Sequence, residues 1–587
     1  MRKQTKLVAV LSTAALLAIG ASMTSFAATG WAEEDGTWVY YNRDGERATD
    51  QWKKSGNNWY WLDSDGEMAI DQLIEDGDNY YYVDINGVMA ANQWVAIDNE
   101  DAGQDDEPDH YWYYFQANGK ALKNGDNARV ALKTVNGKKY AFDDEGRMLF
   151  GWVDADNAER IDNTDGDGFK EGDYYFGGED DGAMTVGWLQ MDITYDEATS
   201  DYEVSPVFND DEDQTRWFYF KSNGKKVKAE NGDTQKSKTI NGKKYEFDQY
   251  GAMTAEWSLD VDTASTSGIR GDYSTATHSV SAKYAQQWRY FQDVENGARV
   301  SKGWFKVVSA EYLNYDKYND DEDAWYYADG SGNLYAGEFK TIKGKKYAFR
   351  NDGRMVDGLK FIQDNNGSLD VKADDDDDYP FDTEDDFIEN APYYENANYK
   401  CYYFGDGDDG SMKTNKINID IDGDKFNFYF EKSGSKKGAG KTGEKDDKYY
   451  QSGMLLKAGK DEKYQVVKTL DPTIDKNDAG AGLKGYKKLD DVKTFLEELG
   501  MDTTSAYTTD PSTVSLSKLN ITKSADNIDE LYVIPAKDDN QQDVKGKYFL
   551  VNTSGKVIDS KSRNKDGNDY YYAIGSKGEI LAIYTEK

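Results

Sequence analysis

The apolar positions of this chain come in short clusters, each closed by an acidic turn that carries a glycine. Gln51–Met68, reading QWKKSGNNWYWLDSDGEM, has the unit in its cleanest form. Extended backbone puts Trp59 and Trp61 on one side of a strand and Tyr60 on the other. Asp63-Ser64-Asp65-Gly66 supplies turn residues, Gly66 being able to take a positive φ, and Met68 then returns toward the ring face. The pattern predicts a β-hairpin. One hairpin of this size is not stable alone in water, so it must be one tile among many.

The tile recurs with a fixed measure. Seven positions separate the first aromatic from the turn glycine in Trp38–Gly45, Trp59–Gly66, Tyr80–Gly87, Trp112–Gly119, Trp217–Gly224 and Trp325–Gly332. A lysine-led variant appears as GKKYAFDDEGRM (Gly137–Met148), GKKYEFDQYGAM (Gly242–Met253) and GKKYAFRNDGRM (Gly344–Met355), about a hundred residues apart. Asp173–Met184 and Trp217–Lys228 complete a larger repeat of three hairpins. Degenerate copies follow at Cys401–Met412, Phe428–Lys437 and Asp447–Leu455, and two more tile-like hairpins close the chain at Lys547–Ile558 and Asp569–Leu581. The fold class expected is all-β, an elongated solenoid of stacked hairpin repeats with acidic loop insertions.

The expected organisation is a signal peptide over 1–27, Trp-rich repeats over 28–357, degenerate Trp-free repeats over 358–460, an insertion or small module over 461–545, and terminal hairpins over 546–587. Met1–Ala27 has Arg2, Lys3 and Lys6, then the apolar run Leu7–Gly20, then Ser25-Phe26-Ala27 at the cut. That run is too short for a good membrane span, no second one follows, and no sorting motif ends the chain. The acidic insertions Asp98–Asp109, Asp154–Asp173, Tyr195–Gln214 and Leu369–Asp386 (with Asp374–Asp378) read as loops, and Thr254–Ala285 is Ser/Thr-rich with weak strand pattern. Leu489–Gly500 is the one convincing helix outside the signal, with Val492, Phe495, Leu496 and Leu499 on its apolar spacing and Gly500 as its cap.

Composition narrows the function. Of 587 residues, 14% are aromatic and the formal net charge is −40, so rings rather than aliphatic side chains build the core and no basic stripe offers itself to nucleic acid. The lone Cys401 has no internal partner for a disulfide and reads as a strand residue. Asp420, Asp422, Asp424 and Glu431 stand at EF-hand spacing, but Lys425 occupies the glycine position and Phe426–Phe430 reads as a strand, which points to a hairpin turn and to no metal site. His110 and His278 sit in no catalytic motif, His110 being read as a surface residue, and the repeats leave no stretch for a usual catalytic domain. The expectation is a non-enzyme with no cofactor; a hydrolase within Asp461–Asn540 is a remote alternative.

Two classes of Trp emerge. Trp31, Trp52, Trp94, Trp152, Trp188, Trp257 and Trp304 open a tile, whereas Trp38, Trp59, Trp112, Trp217, Trp288 and Trp325 lead an aromatic triplet; none follows Trp325. An opening Trp, an aromatic triplet and D-x-x-G-x-M resemble the cell-wall-binding repeats also called choline-binding repeats. They are similar too to the glucan-binding repeats of streptococcal glucosyltransferases and the C-terminal repeats of large clostridial toxins. The likeness covers most of 30–457 and the last forty or so residues, with Arg47 where Met is expected and Leu73 in place of a Trp. It implies open ring cages for a quaternary ammonium, walled by Trp38, Tyr40 and Trp52, then by Trp59, Trp61 and Tyr82, with further rings at Trp31, Trp94, Trp112, Trp152, Trp188, Trp217, Trp304 and Trp325. A quaternary ammonium has no hydrogen to donate, so ring faces suit it, at about 0.5–2 kcal/mol per contact. The resemblance thus implies a secreted protein held non-covalently on the cell wall by choline-decorated teichoic acid. A polysaccharide such as α-glucan is the alternative on the same rings, and a structural adhesin with a host surface protein as partner is the rival reading.

Overall fold

Strand pairing follows from the turns. Where a tile's two strands meet, Asp35-Gly36, Asn136-Gly137, Asn241-Gly242 and Asp422-Gly423 all hold positive φ, the left-handed pair that matches the twist of a two-residue hairpin. In the tile of Gln51–Ser55 and Asn58–Leu62 the turn is Gly56-Asn57, with Gly56 alone at positive φ, and it registers Trp52 opposite Trp61 and Ser55 opposite Asn58. The second turn of the tile is fixed by its aspartate. Asp63 Oδ1 accepts the backbone N–H of Asp65 and of Glu67, each at 2.9 Å, while Gly66 N–H closes on the Asp63 carbonyl at 3.0 Å.

Two devices join successive tiles. The residue after the turn donates its backbone N–H to the carbonyl of the preceding tile's leading residue: Met68 to Trp38 at 2.7 Å, Met89 to Trp59 at 2.9 Å, Ala121 to Tyr80 at 2.8 Å, Met148 to Trp112 at 2.7 Å and Met355 to Trp325 at 2.7 Å. The same post-turn side chain lies on the turn glycine of the next tile. A methyl added to Gly87 would stand 2.9 Å from Met68 Cε, and the sulfur of Met89 covers Gly119 more closely still. Arg47 covers Gly66 with its stem, so the departure from Met keeps the contact.

The structure is a computed structural model that describes residues 29–104, 106–194, 213–233, 235–259, 280–372, 381, 383–504, 506–537, 543–544, 546–560 and 563–587. The expected signal peptide, most of Tyr195–Gln214 and of Thr254–Ala285, Asp374–Asp378 and His278 lie outside them. The described residues form two compact units, 29–194 with 217–227, and 213–216 with 228–587.

The first unit is a run of two-stranded antiparallel hairpins, from Gly30–Glu34 with Thr37–Tyr41 to Trp152–Val153 with Tyr174–Tyr175. Two insertions enter at hairpin tips, 99–109 and 154–173, the second holding a short helix, Gly168–Glu171. The second unit begins with hairpins of the same kind, such as Gly303–Val308 with Asp323–Ala328 and Glu338–Ile342 with Lys345–Phe349. It then changes to sheets of three, five, three and four strands. This is the hairpin-repeat, solenoid-like all-β fold expected from the sequence.

Two features differ from the sequence reading. A helix at Glu384–Asn396 joins Val492–Glu498, the latter inside the predicted Leu489–Gly500. Thr383 caps it, accepting the Asp386 N–H at 3.1 Å, and Phe387, Ile388, Ala391 and Pro392 face inward, Phe387 meeting Phe361, Phe381 and Phe428. Its acidic first turn and internal Pro392 disguise it as loop. The closing tile-like stretches also do not stand as isolated hairpins: Tyr548–Asn552 pairs with Tyr464–Leu470, and Ile580–Glu586 lies between Tyr571–Ile574 and Ile528–Val533.

Candidate functional site

Pleat alternation decides which rings meet. The middle residue of each aromatic triplet faces the preceding tile and the outer two face the following one. In the first unit Trp31, opposite Tyr40 in register, lies edge-on to it at 5.4 Å and edge-on to Tyr60 of the next tile at 5.2 Å. Trp52 repeats this with Trp61 at 5.3 Å and Tyr81 at 5.0 Å. Trp94 meets Tyr114 at 5.2 Å and Tyr140 at 4.9 Å. In the second unit Trp304 meets Tyr327 at 5.1 Å and Tyr347 at 4.9 Å. Each set is thus an opening Trp, the third triplet ring of its own tile and the middle ring of the next.

This grouping differs from the walls drawn from the sequence. Trp52 sits with Trp61 and Tyr81 rather than with Trp38 and Tyr40. Tyr82 is turned to the other side of its strand, stacks on Phe115 at 6.2 Å and donates its hydroxyl to Asp71; burial first, and then that hydrogen bond, push the hydroxyl's pKa up. Tyr60, Tyr81, Tyr140 and Tyr347 were not singled out by sequence, although the alternation of the triplet contains the signal.

The triplet leaders stand at the outer edge of the sets, except Trp288, which is fully buried beside Trp257. Trp59 is 40% exposed, against 8% for Trp61. Trp38 and Trp112 are half-buried, and Trp325 stands at right angles to Trp304 at 6.3 Å, as Trp217 does to Trp188 at 6.2 Å. Three indoles in these sets are steered by carboxylates: Trp52 Nε1 donates to Asp76 at 3.2 Å, Trp112 Nε1 to Asp180 at 3.2 Å and Trp325 Nε1 to Asp408 at 2.7 Å. The Trp325 hydrogen bond, then the Lys306 ammonium, hold the Asp408 carboxyl below the usual carboxylate range. His110, half-buried, also reaches Asp180 at 3.2 Å.

Lysines already lie on some of these rings: Lys53 Nζ is 4.8 Å from the Tyr40 ring and Lys54 Nζ 5.8 Å from the Trp59 ring. Trp152 is buried against Tyr175 and Phe218, and Lys226, in the post-turn position that Met takes elsewhere, sets its ammonium 4.8 Å from the Trp152 ring. With both Trp152 and Lys226 buried, that set leaves no face for an outside ligand. The carboxylates Asp420, Asp422 and Asp424 lie at the tip of the hairpin Asn415–Ile421 with Asp424–Phe430, and among the described residues no group of three or more metal-type ligands gathers anywhere. No helix among them is long and apolar enough to cross a membrane.

Residues 28–69 and 48–94 match the family model of the choline-binding repeat. Glucosyltransferase-S of Streptococcus mutans is 23% identical over 303 residues, 44% of this chain but 17% of that protein, so the chain spans about a sixth of this relative. Among solved structures, the choline-binding domain of Spr1274 from Streptococcus pneumoniae is 32% identical, covering 16% of this chain and 95% of that domain at a TM-score of 0.12. The autolysin LytC of the same organism, solved with a synthetic peptidoglycan ligand, is 18% identical over 57% of this chain and 54% of that one, with a TM-score of 0.27. The matched repeats are the very hairpins that bring Trp31, Trp52 and their partner rings together, and through them the chain belongs to the choline-binding-repeat proteins.

Proposed function

We propose that the protein is secreted and attaches non-covalently to choline-decorated teichoic acid of the cell envelope, by many weak ring sets rather than one pocket. The observation that carries the reading is the repeated set of opening Trp, cross-strand ring and next-tile ring, with an outer Trp such as Trp59 left open to solvent beside it. The open sets in this reading are those of Trp31, Trp38 and Tyr40; Trp52, Trp59 and Trp61; Trp94 and Trp112; Trp188 and Trp217; and Trp304 and Trp325. Carboxylates at the indole edges and a net charge of −40 favour a cationic head group. The chain acts as a binder and not as an enzyme.

A second reading, binding of an α-glucan on the same rings, is favoured by the likeness to the glucosyltransferase. Release of the protein from whole choline-bearing cells separates the two. Free choline at tens of millimolar is expected to release it and isomalto-oligosaccharide is not; the reverse result overturns the choline reading in favour of glucan, and release by neither favours a protein partner.

A further inference from the structure

The Trp152 set is built like the others and closed unlike them. Trp152 lies 5.1 Å from Tyr175, its cross-strand partner, and 5.6 Å from Phe218, the middle ring of the next tile. Trp31, Trp52, Trp94, Trp188 and Trp304 are half-buried in the same role, whereas Trp152 is 2% exposed. What covers it is the insertion at the tip of its own hairpin. The short helix Gly168–Glu171 lays its backbone on the indole: a methyl added to Gly168 would stand 2.9 Å from Trp152 Cδ1, and one added to Gly172 2.6 Å from Cε3. Side chains at these two positions would hold the helix off the ring.

The insertion and the captive cation hold each other. Phe169 is buried beside Phe218 at 5.9 Å, and its carbonyl accepts from the Lys226 ammonium. That ammonium stands 4.8 Å from the Trp152 ring and 5.9 Å from the Phe218 ring. A second insertion holds the first. Asn163 Oδ1 accepts the Gly168 N–H at 2.8 Å, and the Asn163 N–H donates to Asp106 Oδ2 at 2.8 Å. Arg160 pairs with the same Asp106 carboxylate and lies 4.2 Å over the Phe150 ring. Between Asn163 and the helix, Gly166 (φ +81°) has no atom within 4 Å of a would-be methyl, so the backbone has room to turn there. One turn of helix is not stable by itself, and these contacts are what keep it on the ring.

We propose that residues 154–173 are a lid over a latent ring set, with Lys226 as the cation that occupies the set while the lid is shut and the Asp106–Arg160 pair as its latch. The chain's own ammonium then uses the ring faces, and this tile contributes nothing to binding until the lid lifts. That the set beneath takes an outside cation once opened rests on the cell-wall reading above; the lid itself does not.

Hydrogen exchange on the full chain tests the lid. Lys226→Met installs the residue that Met68, Met89 and Met148 supply in their tiles. It is expected to speed exchange over residues 168–172 by about tenfold or more, the worth of one charge-assisted hydrogen bond. Arg160→Ala, whose ring partner is Phe150, is expected to speed the same amides by about tenfold and to leave the hairpin of Gln51–Ser55 with Asn58–Leu62 unchanged. Unchanged lid amides in either variant overturn the proposal. So does protection lost equally across Trp152–Val153 and Tyr174–Tyr175 in Arg160→Ala, the variant that decides if Lys226→Met does not fold. Tetramethylammonium then probes the set beneath. The indole N–H resonance of Trp152 is expected to shift with it in the opened variants and to stay in place in the unaltered chain, where the resonances of Trp52 and Trp94 move. A Trp152 shift in the unaltered chain overturns the closure. Opened variants in which Trp52 and Trp94 shift and Trp152 does not overturn the latent set and leave the proposed function standing, whereas no shift at any Trp overturns both.

Discussion

Residues 30–115 and residues 464–587 start from similar short strands and bury them in different ways. In the first stretch four separate hairpins meet through edge-to-face rings, one inter-tile hydrogen bond and a side chain laid on a glycine. In the second, three- and four-stranded sheets close over Val466, Leu489, Phe495, Leu496, Leu550, Ile580 and Ile583. Phe495, Leu496, Leu550 and Ile583 are wholly buried, whereas Trp59 keeps 40% of its surface. Edge-to-face rings leave their outer neighbours in solvent, while interdigitated aliphatic side chains leave nothing over. On the proposed function, binding belongs in the openness between hairpins, and the closed sheets contribute stability.

That contrast is broken most directly by the triple variant Trp38→Ala, Trp59→Ala, Trp112→Ala. Because polymer contacts after the first are intramolecular, losing three sets is expected to lower attachment to isolated walls by about two orders of magnitude, and Trp59→Ala alone by less than about tenfold. Equal losses for the single and triple variants, read by wall sedimentation, contradict the division of labour. The converse is Phe495→Ala, which is expected to cost about 3–5 kcal/mol of the C-terminal sheets' stability by calorimetric melting. Wall attachment of that variant below its melting point is expected to stay within about twofold; a loss as large as that of the triple Trp variant moves the binding site into the closed sheets.

Turn glycines sharpen the comparison on a smaller scale. Gly119 (φ +80°) and Gly578 (φ +84°) share the same backbone, but only Gly119 is covered tightly by a methionine, the nearest atom to a Gly578 methyl being 3.5 Å away. Gly578→Ala is expected to cost about 1 kcal/mol from the left-handed backbone, and Gly119→Ala about 2–3 kcal/mol because Met89 must also move. Equal costs in denaturant titrations would mean that the methionine contact adds nothing. The smallest effect is a silent one. Cys401 is buried and burial pushes its thiol well up, so iodoacetamide is expected to leave it unmodified at neutral pH until the chain unfolds. Prompt native-state alkylation contradicts the packing around that strand.

The hairpins were legible because their signals are local. Asn136-Gly137 marks a primed turn, Asp63-x-x-Gly66 a capped one, and Trp59-Tyr60-Trp61 a strand, each within a few residues. The ring partners were harder, since Trp31 with Tyr60 and Trp52 with Tyr81 are contacts between tiles that the triplet predicts only once its middle residue is assigned to the opposite face. Glu384–Asn396 hid because its apolar face is only Phe387, Ile388, Ala391 and Pro392, and a proline ordinarily argues against a helix. Nor does any short motif announce that Asp180 and Asp408, 68 and 83 residues downstream, take the indole protons of Trp112 and Trp325.

The central claim is that attachment is the sum of many weak open sets. Titration of free choline into the intact chain tests it directly by calorimetry. Several independent sites of about millimolar affinity are expected, because two or three ring contacts less the cost of immobilising the ligand allow no more. A single site of micromolar affinity or better for choline, abolished by one Trp substitution, would contradict the account and make the protein a receptor with one dedicated pocket.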